Sequence, residues 1–461
     1  MLEPAGVAAV HEAALRVLGR TGVTVRDDAA VAILRSHGAR TVGQRVYMDE
    51  SVVGKALAAA PPSFTLVGRR PERDVRFGDG RSVYGSASGP ANILKGDRLH
   101  PGTIADLDDA IRLGHESRAI AFLGDSLEAL DLPERQRTRR GAFSRVTLSD
   151  KACEWVAATD DDLDVAIGAN EILFGAEWHH EPRAMVVLNT NSPLQLSGEM
   201  ARTLVRWARL RQPVCVTSCV MGGTTGPASL PGVLVVQHAE VLAALVLAQH
   251  ASEGCPFIYG GLSAMASMRD GAIHFGTREF AWLAQATVRL ARACSLPVRA
   301  GAAVTDAHRL DAQAAMESVL GLSAAAQAGA DFLFQAAGVL GSFTTLSLEK
   351  FVVDHAAIVT LTALEEPVAA GDDLLAVDAI DAAGPGGHYL AQAHTRRYAR
   401  ELDRPTFLGR ETYGKWRALG EPDVRAAAAR EVARLLAAHE APDDLDQIVR
   451  RQLREFCSVA P

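Results

Sequence analysis

The sequence predicts an α/β protein, a (β/α)8 TIM barrel with an N-terminal helical cap and a C-terminal helical extension. Three observations carry that expectation. Eight short apolar runs, most ending in Gly, Ser, Asn or Asp, alternate with longer helical patterns, and eight βα units in series close more naturally into a barrel than into an open doubly wound sheet. The alternation begins only near residue 83 and stops after residue 375, which sets expected boundaries of 1–80, 81–375 and 376–461. The chain has 461 residues, long for one domain, yet barrels with terminal additions reach that size undivided.

The elements follow in order. Helical patterns over 7–20 and 27–37 precede a short extended piece and a third helix stopped by Pro61-Pro62, forming the N-terminal cap. The barrel runs are VYGSAS (83–88), IAFLGDS (120–126), FSRVTLS (143–149), AMVVLNTN (184–191), PVCVTSC (213–219), PFIYGG (256–261), PVRAGAA (297–303) and ADFLFQAAG (330–338). The third is the weakest, because the preceding ERQRTRRGAFSR has no apolar period and reads as a solvated surface loop. Beyond 375 the βα rhythm gives way to a Gly-Pro turn, a helix and an aromatic tail. From Glu421 to Leu453, Ala, Val and Leu alternate with Arg and Glu at the spacing of one or two amphipathic helices that cover the barrel or serve a partner.

Composition excludes several classes. A formal charge of -8 lacks the basic footprint that phosphate neutralisation needs, so nucleic acid is not the expected partner. Glu3 and His11 interrupt the start before any apolar run, so no signal peptide is expected and the expected location is cytoplasmic. The run VLAALVLAQ at 241–249 falls short of the ~20 residues of a membrane span and reads as a buried helix. Six scattered cysteines suit reduced thiols. Cys215 and Cys219 are the one close pair, and with no further ligands nearby no metal site is expected. No P-loop, H-E-x-x-H, G-x-S-x-G or dinucleotide fingerprint is present.

In a barrel the ligand sits at the carboxyl ends of the strands. Asn189 and Asn191, two apart in LNTNSPL, would offer a pair of amides to one ligand, or else bond loop backbone. Tyr84 and Tyr259, near the ends of the first and sixth runs, could meet a cation through their rings or serve as core aromatics, and Trp155 and Tyr389 could complete such a wall. Asp125 and Asp306 could balance a cation, Gln335 ends the eighth run, and Asp311 reads as a helix N-cap. Ser218, Gly222 and Gly261, with His388 and His394 in the Gly-rich GHYLAQAH, are expected to face a cofactor or partner.

The motifs NTNSPL, FIYGGLSAMASMRDGAIHFGTREF, LDAQAAMESVLGLSAAAQAGADFLFQAAG, LSLEKFVVD and GPGGHYLAQAHT occur in order, closed by Tyr413-Gly414-Lys415-Trp416. Together they resemble the trimethylamine methyltransferase family, associated with methanogenesis, from the N-terminal helices to about residue 416. The resemblance implies a (β/α)8 barrel that moves a methyl group from a methylated amine to the cobalt of a cobalamin-type corrinoid held by a partner protein. Some members use pyrrolysine; none is written here, which implies a non-pyrrolysine member related to the glycine betaine:corrinoid methyltransferases, acting on a quaternary amine such as a betaine. It also places Asn191, Ser192, Pro193, Tyr259 to Gly261, Asp311, Gln313, Glu349, Lys350 and His388 on recurring family positions, with Glu349 among the implied substrate contacts. Ser267-Met268, Ala307-His308 and Gln335 depart from the family pattern. They leave open a repurposed enzyme using another methyl carrier such as tetrahydrofolate, or performing another small-molecule reaction, and a non-catalytic amine-binding protein. A homo-oligomer is the expected assembly.

Overall fold

The computed structural model describes residues 2–402 and 407–458. Eight parallel strands form the barrel: β1 (Val83–Tyr84), β2 (Phe122–Leu123), β3 (Ala152–Trp155), β4 (Met185–Asn189), β5 (Val214–Ser218), β6 (Phe257–Gly261), β7 (Val298–Gly301) and β8 (Phe332–Phe334). Each pairs with its sequence neighbours, and β8 pairs back onto β1. Between β1 and β2 the closure is a single bridge, Gly85 to Phe122, carried by Ala121 N–H to the Tyr84 carbonyl and Ser86 N–H to the Phe122 carbonyl, both 3.0 Å. The crossover helices are α1 (Ile104–Glu116), α2 (Glu134–Leu148), α3 (Asp160–Phe174), α4 (Gly198–Arg209), α5 (Leu230–Ala251), α6 (Arg278–Ala293), α7 (Ala312–Gln327) and α8 (Leu348–Glu365).

Seven of the eight expected runs supply strands; the third does not. Residues 143–149 belong to α2 and its C-cap, and the strand is Ala152–Trp155. The segment read as a surface loop is therefore the crossover helix. Its buried face is mostly small or polar, with Gly141, Ala142, Ser144, Arg145 and Thr147 beside the single Val146, so it leaves no apolar stripe in the sequence. Lys151 then turns the chain into β3: its buried Nζ donates to the carbonyls of Gly114, Ser117 and Ile120 at 2.6–2.8 Å, closing the end of α1, and burial lowers its pKa to about 7.

Side chains alternate along each strand. The interior is filled from below by Val83, Phe122, Met185, Cys215, Ile258, Phe332 and Phe334, and the hairpin Phe64–Leu66/Val75–Phe77 plugs the amino-terminal end. Phe332 stacks on Phe334 at 4.9 Å and meets Phe77 and Phe122 edge-on at 5.5 and 5.1 Å. Each such ring contributes roughly 1.5–3 kcal/mol on burial. The floor is thus sealed and apolar, leaving the carboxyl end as the way in.

Helix α5 is 22 residues long and apolar enough to cross a membrane, longer than the apolar run read from the sequence, but it lies mostly buried beneath the N-terminal helices Pro4–Arg20, Asp28–Ser36 and Glu50–Ala59. At the other end of the chain, Val424–Ala438 packs on α8 and α1, and Gln447–Phe456 on α3 and α2. The segment between α8 and these two helices holds Asp372–Leu375, Val377–Ala383, Ala393–Leu402 and Tyr413–Ala418, and it leaves Leu375, Val377, Ile380, Leu390 and Tyr413 exposed.

Candidate functional site

The carboxyl ends of β3 and β4 border a cavity of about 280 Å³ lined by Ser88, Asp125, Glu154, Val187, Asn189 and Asn191. It adjoins a wider cleft of about 810 Å³ that shares Asp125, Val156 and Ala158 and is walled by Arg135, Arg137 and Arg139 of α2.

Glu154 is the buried acid of this cavity. It occupies an inward position on β3, and one carboxylate oxygen accepts from Ser88 Oγ at 2.6 Å and from Asp125 N–H at 3.1 Å. Burial pushes its pKa up to about 7, the Ser88 bond opposes the rise, and the Asp125 charge adds to it. Asp125 itself pairs with Arg145, a fully buried guanidinium delivered by α2. The misplaced third strand concealed Glu154 from the sequence reading.

Asn189 ends β4 and is exposed to the cavity, as is Asn191. Among the described residues neither amide has a hydrogen-bond partner, so they do not serve to bond loop backbone. The loop that carries them is fixed from behind by Glu240 of α5. This fully buried carboxylate accepts from Thr190 Oγ1 (2.6 Å), Ser218 Oγ (2.7 Å), Ser192 Oγ (2.9 Å) and Leu194 N–H (2.7 Å). A lone Glu in an apolar helix was the available signal, since a buried charge needs such partners.

Several expected site residues lie elsewhere. Tyr84 and Tyr259 point outward, because Val83 and Gly85 on β1 and Ile258 and Gly260 on β6 hold the inward positions. The Tyr84 phenol is buried against Thr362 of α8, and Tyr259 is hydrogen bonded to His238 Nδ1 at 2.9 Å, its pKa driven up by burial. Trp155 is buried on the outer side of β3, and Tyr389 is exposed on the C-terminal segment. Among the described residues, no aromatic ring lines the cavity.

Ser218 and Gly261 are likewise outward and buried, Ser218 on Glu240 and Gly261 against Gln237 and Thr287. Gly222 is buried between Met265 and Val233. Asp306 is consumed as a clamp between loops, accepting from Phe275 N–H, Gly276 N–H and Ser342 Oγ at 2.6–3.0 Å. Glu349 caps the Gly96 turn at 3.1 Å and lines a groove beside Arg425, not the cavity. His388 is exposed and His394 half-buried on the C-terminal segment, with His394 on the Asp373 carbonyl. Asp311 caps α7 as expected.

Gln335 stays at the mouth, at the end of β8 in a left-handed conformation (φ 56°), where it accepts a hydrogen bond from Arg299 of β7. Arg299 is inward-facing and 1% exposed, and the sequence reading passed over it within PVRAGAA. Lys350 is buried on Asp354 (2.6 Å) and the Ala303 carbonyl (3.0 Å), bracing the loop after β7.

Among the described residues, two groups come near a metal-ligand arrangement, His11/His238/Cys294 and His115/Glu116/His439, both on the outer helices. In the first, the two imidazoles already share a 2.9 Å hydrogen bond. All six cysteines are free thiols.

Comparison with known proteins sets this geometry in a lineage. The monomethylamine methyltransferase (MtmB) structure from Methanosarcina barkeri superposes with a TM-score of 0.51 at 10% identity over 95% of this chain and 87% of that one, which shows the shared fold. In sequence, the chain is 33% identical over 453 residues to the glycine betaine methyltransferase of Desulfitobacterium hafniense (strain Y51), covering 97% of this chain and 94% of the relative. It is 29% identical to the L-carnitine:corrinoid methyltransferase of Eubacterium limosum (94% and 92% covered). Against the trimethylamine methyltransferase MttB of Methanosarcina thermophila identity is 27% (95% and 93% covered). The family model described as trimethylamine methyltransferase (MTTB) matches residues 1–459. The chain belongs to the trimethylamine methyltransferase family.

Proposed function

We propose that this enzyme moves a methyl group from a small quaternary amine to the cobalt of a corrinoid carried by a partner protein. The observation that carries this reading is the cavity itself: a buried carboxylate, Glu154, and two unpartnered amides, Asn189 and Asn191, face one small space at the barrel mouth. Loss of methyl turns a quaternary nitrogen into a neutral tertiary amine, so the reaction asks for no proton donor. The corrinoid, when its carrier docks, supplies the cobalt that accepts the methyl group.

What the chain's own residues do is bind, orient and exclude water. Ionised Glu154, with Asp125 beside it, attracts the cation; the Asn189 and Asn191 amides hold its polar tail; the aromatic floor closes the cavity from below. The adjoining cleft leaves room beside the cavity for the carrier, and its wall mixes the arginines of α2 with Glu128, Glu134, Asp161 and Asp162. The exposed apolar side chains of residues 374–413 support a homo-oligomer in which a neighbouring copy covers them.

The test is a single-turnover assay with reduced corrinoid protein and glycine betaine, reading cobalt methylation by absorbance and dimethylglycine by mass spectrometry. Both products are expected in equal amounts. Tight binding of a reduced folate with no cobalt methylation from any quaternary amine would overturn the reading.

A further inference from the structure

We propose a metal site outside the barrel cavity, in which His115 and Glu116 at the end of α1 and His439 of the C-terminal extension together hold a divalent ion of the zinc class. Each of the three residues offers one ligand atom, and these atoms lie within 4.8 Å of one another. Two imidazoles and a carboxylate suit zinc and its transition-metal neighbours, whereas magnesium and calcium call for oxygen ligands. Tetrahedral bonds of ~2.1 Å set two ligands roughly 3.4 Å apart. Glu116, at a helix end with its side chain 23% exposed, has the rotamer freedom to close the difference, and its open side admits water as a fourth ligand.

The surrounding groups prepare the donors. His115 Nδ1 lies 3.2 Å from Ser149 Oγ and 3.5 Å from Asp150 Oδ1, which directs its proton there and leaves the lone pair on Nε2. Imidazoles oriented by a carboxylate in this way are the usual histidine ligands of bound metals. His439 Nδ1 donates to Glu116 Oε1 at 3.0 Å, its side chain is 5% exposed, and its Nε2 is buried without a hydrogen-bond partner. A neutral imidazole that donates through one nitrogen carries a lone pair on the other, and burying that lone pair unpaired is costly. Two helix ends also meet here, since His439 caps Val424–Ala438 while His115 and Glu116 close α1, and helix carboxyl ends favour a cation. Lys151 already occupies three carbonyls at the α1 end, and its charge is met by Asp150 and Glu116. None of the three ligands lines the cavity or the cleft, so the ion clasps the C-terminal extension to the barrel and leaves the substrate site alone.

The test strips the full-length protein with a chelator and titrates it with Zn2+ alone, reading affinity by competition with a chromophoric chelator and stability by thermal unfolding. One ion per chain is expected, with a Kd of about 1 μM or tighter and a melting temperature that rises with free Zn2+. His439→Gln is expected to weaken that binding about 100-fold and to abolish the thermal shift, with glycine betaine affinity unchanged. Replacing the exposed pair His179 and His180 by Gln should change nothing. Wild-type protein that takes up no Zn2+ below millimolar concentration overturns the site. So does zinc that survives His439→Gln, or that is lost with His179 and His180 or with Cys294→Ser, which removes the thiol of the His11/His238/Cys294 group. Glu116→Gln, which keeps size and polarity, decides the matter if His439→Gln fails to fold.

Discussion

At the scale of single residues, Glu154 governs affinity and its pH dependence. Its folded pKa of about 7 stands above the ordinary carboxylate value, so the empty site holds a proton that the unfolded chain has already released. Stability of the free protein therefore falls as pH rises from about 4.5 to 7, whereas affinity for a quaternary amine rises over pH 6 to 8 as the carboxylate ionises. Glu154→Gln should flatten both profiles and weaken amine binding about 10-fold or more at pH 8; an unaltered pH dependence of binding would remove Glu154 from the cation's wall. Asn191→Ala should weaken binding with the melting temperature nearly unchanged, because its amide supports no other group. Tyr259→Phe should do the reverse. It leaves His238 Nδ1 without a partner and costs roughly 1–3 kcal/mol by chemical denaturation, with ligand affinity intact.

Elements position these residues. Helix α2 delivers Arg145 to Asp125, and α5 delivers Glu240 to the β4–α4 loop. The four donors on Glu240 make it the fixed point of that loop, so Glu240→Ala should cost ~3 kcal/mol or more and also weaken amine binding, since Asn191 hangs from the same turn. A stable Glu240→Ala protein with wild-type affinity would show that the loop holds itself. Both helices illustrate a limit of periodicity: α2 has a polar buried face and left no stripe, while α5 is apolar on all sides and so showed only its most hydrophobic stretch.

At the scale of the whole molecule, the sealed amino-terminal floor and the polar carboxyl end give the barrel one direction of access. The segment from Asp372 to Ala418 departs from this economy by holding apolar side chains in the open. Light scattering of the purified protein is expected to give a mass above 48.9 kDa, and Ile380→Glu with Leu390→Glu to reduce it toward that value without lowering the melting temperature of the barrel. A monomeric wild type would remove the homo-oligomer.

The sequence alone determined the barrel, seven of its strands, the N-terminal helices and the family, because alternating short apolar runs and ordered motifs are local records of the fold. It also brought Asn189 and Asn191 to the site, since their spacing of two at a strand end is itself geometry. Tertiary structure decided the rest. Which way Tyr84 and Tyr259 face depends on strand register, and a shift of one residue exchanges interior for exterior. The meeting of His115 and Glu116 with His439 exists only once the C-terminal helix docks on α1, because docking alone brings together Glu116 and His439, 323 residues apart in the chain.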